Sequence, residues 1–316
     1  APATGVKSEK KQKGINMGKF RVVTDGSADL PEEILAERKI TVVPFYVMLG
    51  EGSYLKQDKE ISTEAFYAWM LANSGKYPKS AAPSAQDYYD VFSKAVEAGE
   101  KVICICITSK FSCSFQSASI AREMVLDQWP CASIAVMDST VNTVLQGQFV
   151  LEACELRDAQ ADFEEAVARL EEIKATGRIF FTIGGIEYLS VGGRIGKLAG
   201  KVSSMLNIKP IIALREGEIH AAGVSMGRKK SLDKVLSTAK GYLSENFSRG
   251  EDFSITVGYG SDHEEAAGFR AKVAEMLEGL RLSTEIPIRR IGAVIGVHTG
   301  PYPIGVGILR RACKAI

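Results

Sequence analysis

No stretch of this sequence approaches the roughly 18 consecutive apolar residues of a membrane span, and no secretory leader is visible. None of the six cysteines falls in a C-x-x-C pair. That usage fits reduced, packed thiols in a cytoplasmic protein better than a disulfide framework. Histidine is scarce, at three residues, and neither H-E-x-x-H nor any other cluster of metal-ligand spacing occurs, so no metal is expected. G-x-G-x-x-G, a Walker loop and the G-x-S-x-G elbow are all missing, which leaves nucleotide binding without support. An excess of one charge sign is missing too. The 39 basic and 38 acidic residues give a net charge of +1, so no nucleic-acid partner is expected. There is no internal repeat.

What is present is an ordinary globular balance, 46% hydrophobic and 24% charged, in a chain of 316 residues that can make two domains. Met17 followed by Gly-Lys-Phe reads as a natural start, and residues 1–19 are set aside as a leader or added segment. The centre of the sequence is Lys101–Ala118. Val102–Ile107 is a continuous apolar run suited to a parallel strand buried on both faces. It ends in a turn carrying Thr108, Ser109, Ser112, Ser114 and Ser117, with a helix expected from Gln116. Such turns, at the carboxyl ends of strands in open α/β sheets, are where ligands bind, and their hydroxyls and amides can hold an anion. The same serines could equally serve as caps and turn formers.

Around it, strands and helices alternate. Phe20–Thr24 reads as a strand, Pro31–Arg38 as a short helix, Ile40–Leu49 as a second strand and Ile61–Ala72 as a helix capped by Ser62. Asp25 and Ser27 sit at the first strand-to-helix turn. Asp25 reads equally as a loop tie, and Asp29 as a helix cap. Pro83 holds Ala82 extended, which leaves the Ser80 hydroxyl available. Alternation through Val141–Leu156 and Phe163–Lys174 predicts a parallel α/β domain over 20–176. After Gly177 the pattern changes. A glycine-dense connection, a hairpin at Arg215-Glu-Gly-Glu and a strand over Pro287–Ile295 predict an α+β domain over 177–316 with a largely antiparallel sheet. The ligand would lie between the two domains.

Among single residues, Arg194 between glycines offers a rigid fork for a carboxylate or phosphate. His298, ahead of Thr299, Gly300 and Pro301, could meet an anionic head group or move a proton. Cys113 lies inside the serine-rich turn.

Six blocks in order resemble the DegV family of fatty-acid-binding proteins across residues 20–312. They are Thr24-Asp-Gly-Ser-Ala-Asp-Leu-Pro; Pro78-Lys-Ser-Ala-Ala-Pro-Ser; Thr108-Ser-Lys-Phe-Ser-Cys-Ser-Phe-Gln-Ser-Ala; Tyr188-Leu-Ser-Val-Gly-Gly-Arg-Ile-Gly; Leu206-Asn-Ile-Lys-Pro-Ile; and His298-Thr-Gly-Pro. The resemblance implies one long-chain fatty acid, its tail in a tunnel and its carboxylate between two domains, with no further cofactor. It implies a separate fatty-acid kinase that phosphorylates the carried carboxylate for phospholipid metabolism. Ser80, Ser112, Ser114 and His298 match the family's head-group positions, and Arg194 its phosphoryl-transfer position; Arg194 and His298 would steady charge during transfer. Asp25, Ser27, Cys113 and Thr299 are secondary candidates. Cys113 departs from a family glycine, Ala81 and Ala82 from Ser-Gln, and Tyr302 from a glycine. A carrier without catalysis of its own is the leading expectation. The alternatives are an acyl hydrolase using Ser112 with His298 as base, and a regulatory protein with a structural lipid.

Overall fold

A computed structural model describes residues 20–198, 208–247 and 253–313. The leader 1–19 lies outside these residues, as do most of the stretch from Lys197 to Leu206 and the start of the block at Leu206. The first half forms β1 (Phe20–Asp25), α1 (Glu32–Glu37), β2 (Ile40–Val43), β3 (Tyr46–Met48), β4 (Leu55–Lys56), α2 (Thr63–Ala72), β5 (Lys79–Ala81) and α3 (Ala85–Glu97). It continues with β6 (Lys101–Cys106), α4 (Ser114–Gln128), β7 (Ile134–Asp138), α5 (Thr143–Asp158) and α6 (Phe163–Lys174). The second half forms β8 (Arg178–Thr182), α7 (Glu187–Val191), β9 (Ile208–Arg215), β10 (Glu218–Met226) and α8 (Arg228–Asn246). It closes with β11 (Phe253–Tyr259), α9 (His263–Leu280), β12 (Ile288–Arg290), α10 (Ala293–Thr299) and β13 (Ile304–Arg310).

The protein is an α/β molecule with two principal sheets. The first, ordered β2-β1-β6-β7, is parallel throughout, with Val22 opposite Ile103 and Cys104 opposite Val136. The unbroken apolar run of β6 follows from burial on both faces. Ile103 and Ile105 pack with Leu145 and Phe149 of α5, while Cys104 and Cys106 face Tyr88 and Phe92 of α3 and Ala118 of α4. The second sheet, ordered β10-β9-β8-β13-β11-β12, is antiparallel except for the β11–β12 pair. Its hairpin turns where expected, with Glu216 and Gly217 both at positive φ (52° and 83°), the geometry of a two-residue turn that matches strand twist. The hairpin tip meets the parallel sheet, because the Thr108 hydroxyl donates to the Gly217 carbonyl at 3.1 Å. Helix α5 is pressed on the second sheet through glycines: a Cβ on Gly258 or Gly307 would stand 3.0 Å from Val144 or 2.8 Å from Leu145.

Three expectations are corrected. Ile40–Leu49 is not one strand. Pro44, which lacks an N–H, separates β2 from β3, and β3 joins a small antiparallel sheet ordered β4-β3-β5. Pro287–Ile295 is not one strand either: after β12, Gly292 opens helix α10. Residues 293–297 are apolar on every side, so their periodicity could not separate a strand from a buried helix. It packs against α2, where a Cβ on Gly296 would meet the Phe66 ring at 2.6 Å. Third, Asp29 does not cap α1. It adopts left-handed backbone (φ 49°) and accepts the Thr143 hydroxyl at 2.6 Å instead.

Candidate functional site

Between the two sheets lies a cavity of about 290 Å3. Its apolar wall includes Phe45, Ile107, Phe111, Phe181, Leu189 and Ile295. Its polar side chains are Ser80, Ser112, Cys113, Asn142, Arg194, His298 and Thr299. A second, smaller cavity of about 40 Å3 adjoins it as an extension, sharing Asn142, Phe181, Ile295 and Thr299 and lined further by Val144, Ile179 and the glycines of β11 and β13. The main chamber is near the lower end of the roughly 300–1,000 Å3 usual for ligand sites.

Ser80 reaches the cavity from β5, whose extended backbone is held by pairing with Val47 of β3. Its Oγ lies 3.1 Å from His298 Nε2. His298 comes from the last turn of α10 rather than from a strand end. Burial, and secondarily the Arg194 cation, pushes its pKa down to about 4. The imidazole is therefore neutral at neutral pH, the neutral one of the two forms the sequence left open. When Nε2 carries the proton it donates to Ser80 and frees the serine O–H for an anion. His298 Nδ1 is buried without a hydrogen bond, against the backbone of Gly192. A Cβ on Gly192 would stand 2.2 Å from that nitrogen, so the glycine-rich turn serves the histidine directly. Beside it, Gly300 (φ 76°) leaves room for the Tyr188 ring, 2.7 Å from where a Cβ would be.

Ser112 Oγ accepts from the Ser114 amide at 3.2 Å, an arrangement that leaves its O–H to donate into the cavity. Ser114 itself points away. Its hydroxyl lies 2.6 Å from both Asp25 Oδ2 and Tyr88 Oη, fully buried, and this removes it from the candidate head-group set. The helix begins at Ser114, not Gln116, which turns that side chain inward. Asp25 and Ser27 are likewise held inside. Asp25 accepts from the Ile107 and Ser27 amides, the Ser27 and Ser114 hydroxyls and the Gln146 amide group, so every lone pair is occupied. It fixes the ends of β1 and β6 against α4 and α5. Arg194 is exposed at the rim, donating through Nε to the Phe111 carbonyl at 3.0 Å and through Nη1 to the Gly192 carbonyl at 2.7 Å. Cys113 is exposed and lines the cavity. Thr299 also lines it, with its hydroxyl donated to the Ile295 carbonyl at 3.1 Å.

The structure thus brings Ser80, Ser112, Cys113, Arg194, His298 and Thr299 to one cavity and leaves Asp25, Ser27 and Ser114 in the supporting layer. Sequence reasoning missed Asn142, which it placed inside a helix beginning at Val141. The helix begins at Thr143, and asparagine's preference for the residue before a helix was the available signal. Among the described residues, no group of His, Cys, Asp or Glu is placed to hold a metal ion, and no helix is long and apolar enough to cross a membrane.

The sequence model of an uncharacterised family, DegV, matches residues 19–311. The chain belongs to the DegV family. A DegV domain-containing protein of Clostridium acetobutylicum is 31% identical over 297 residues, spanning 93% of this chain and all of the relative. Among solved structures, a stearic-acid-binding protein from Eubacterium ventriosum shares 38% identity at a TM-score of 0.87, covering 93% of this chain and 99% of its own. A fatty-acid-binding DegV protein from Thermus thermophilus shares 28% at 0.82, covering 92% and 99%. Fatty-acid binding is thus a property of solved members of the DegV family, and this member has an apolar cavity with polar side chains on part of its wall.

Proposed function

We propose that this DegV-family chain is a carrier. It binds one long-chain fatty acid between an N-terminal domain (20–176) and a C-terminal domain (177–316), with the carboxylate at Ser80, Ser112 and His298. The observation that carries this reading is the segregation of the cavity. Two hydroxyls and a neutral imidazole stand in the main chamber with Arg194 at its rim, while the extension beyond is mainly apolar. A carboxylate stripped of water is very costly unless hydrogen bonds meet it, and these groups can supply them. Each buried methylene contributes about 0.8 kcal/mol, so the tail drives binding even when the head group only breaks even. In this reading a separate cytoplasmic kinase phosphorylates the presented carboxylate for phospholipid synthesis, and the exposed Arg194 stands where a transferred phosphoryl group would arrive.

A hydrolase is favoured by one contact, Ser80 with His298, although the sequence pointed to Ser112. The contact lacks what a nucleophile needs: His298 Nδ1 has no orienting partner, and a pKa of about 4 makes a poor base. Native mass spectrometry of the purified protein, followed by solvent extraction, tests the carrier reading. One fatty acid per chain is expected, and Ser80→Ala should weaken rebinding about tenfold. An empty protein that takes up no added fatty acid would overturn it. Release of an acyl product from an ester by the protein alone would move the hydrolase forward.

A further inference from the structure

Asn142 is a polar residue of the cavity whose carboxamide makes no hydrogen bond within the fold. It precedes α5, where asparagine usually caps the helix, yet its side chain makes no cap hydrogen bond. Among the described residues it has no side-chain partner at all. Its backbone, in contrast, is pinned on both sides. The Val141 carbonyl accepts from the Thr108 amide at 3.0 Å, the Asn142 carbonyl from the Gln146 amide at 3.1 Å, and the Thr143 hydroxyl is tied to Asp29. Thr140 and Thr143 are both held in left-handed backbone (φ 56° and 49°), a costly conformation for β-branched residues. The loop therefore holds Asn142 in place and leaves its carboxamide free.

The place is specific. Ser80, Ser112, Arg194 and His298 line only the main chamber, whereas Asn142, Phe181, Ile295 and Thr299 line both it and the narrow extension. Asn142 thus stands at the neck where the two cavities adjoin, apart from the head-group cluster. Thr299 stands there too, and since its hydroxyl proton goes to Ile295, its oxygen can still accept. A plain hydrocarbon passing this neck would strip water from the carboxamide and return no hydrogen bond. A hydroxyl on the chain would both accept from Asn142 and donate to Asn142 or Thr299.

Resting on the carrier reading, we propose that Asn142 is a specificity residue that selects a fatty acid bearing a hydroxyl group partway along its chain, at the neck of the cavity. The test is competitive binding to the delipidated protein of stearic acid and a set of hydroxystearic acids with the hydroxyl walked along the chain. One positional isomer should bind about tenfold tighter than stearic acid, the others no tighter. Asn142→Leu, which keeps the branching of the side chain and removes the amide, should abolish that preference while stearic acid binds as well or better. Asn142→Ser should retain part of it. If no hydroxylated isomer exceeds stearic acid on the wild-type protein, the proposal fails while the carrier reading stands. Equal weakening of both ligands by Asn142→Leu would also overturn it, since Asn142 would then serve the carboxylate. If neither ligand binds the wild-type protein, both readings fall together.

Discussion

His298 is neutral because its surroundings stabilise no charge: the ring is desolvated, its nearest cation is Arg194, and its one polar contact is the Ser80 hydroxyl. Its folded pKa, about 4, lies below the ordinary 6.5, so between those values the unfolded chain binds a proton that the folded chain refuses. Stability should therefore rise with pH across that window, fall as pH drops from 6.5 toward 4, and level off below, a swing on the order of 2–3 kcal/mol. Urea unfolding of wild type and His298→Gln at matched pH values checks this. The variant should lack this contribution, and an unchanged slope would place the proton elsewhere. The same residue shows how far one position can be read. Its type and its Thr-Gly-Pro sequel were visible in the sequence, but its protonation was not, because desolvation depends on α7 and β5 closing over it.

At the level of elements, the turn after α7 and the end of α10 fit together through small residues. Gly192 has ordinary helical backbone (φ −74°), so only space forbids a side chain there. Gly193 has φ 68° and nothing within 4 Å of where a Cβ would stand, so only backbone strain opposes one. The two neighbours should thus separate. Gly192→Ala should displace the His298 ring, costing about 1–3 kcal/mol by overpacking and weakening fatty-acid binding. Gly193→Ala should cost about 1 kcal/mol of stability and leave binding alone. Melting curves and titration of both variants decide, and equal loss of binding in both would refute the division. Element types were legible wherever local chemistry marked them. The Ser84 and Asp87 capping box starts α3, and Glu-Gly makes the β9–β10 turn. They were illegible where a run was apolar all round, as in α10, or where one proline sent the chain to another sheet, as between β2 and β3.

Across the whole molecule, Asp29 marks the seam where the loop before α1, the start of α5 and the entry to α10 converge. Burial lifts its carboxyl to about 8, with the Thr143 hydroxyl and the Gly292 backbone offsetting part of the cost and Asp58 and Asp25 adding repulsion. The folded value exceeds the ordinary 3.8, so the folded chain keeps a proton that the unfolded chain has lost. This contribution should fall as pH rises from about 4 to 8, the reverse of the His298 effect. Above pH 6.5 the histidine contribution fades over about one further unit, so the Asp29 slope should come to dominate. Asp29→Asn should flatten stability between pH 6.5 and 8, and a wild-type slope that survives the substitution would assign it to another group.

The local order of the chain was enough for the alternating first half, the antiparallel second half and the blocks that carry the DegV resemblance, because caps, turns and two-face burial are written in neighbouring residues. Which hydroxyls face the cavity was decided by packing. Ser112 and Ser114 are two residues apart and chemically alike, yet Asp25, from a different strand, takes Ser114 inward and leaves Ser112 to the cavity. Ser80 and His298 meet across 218 residues of sequence. A hydrogen bond between distant segments depends on the path of every element between them, and no local pattern encodes that path.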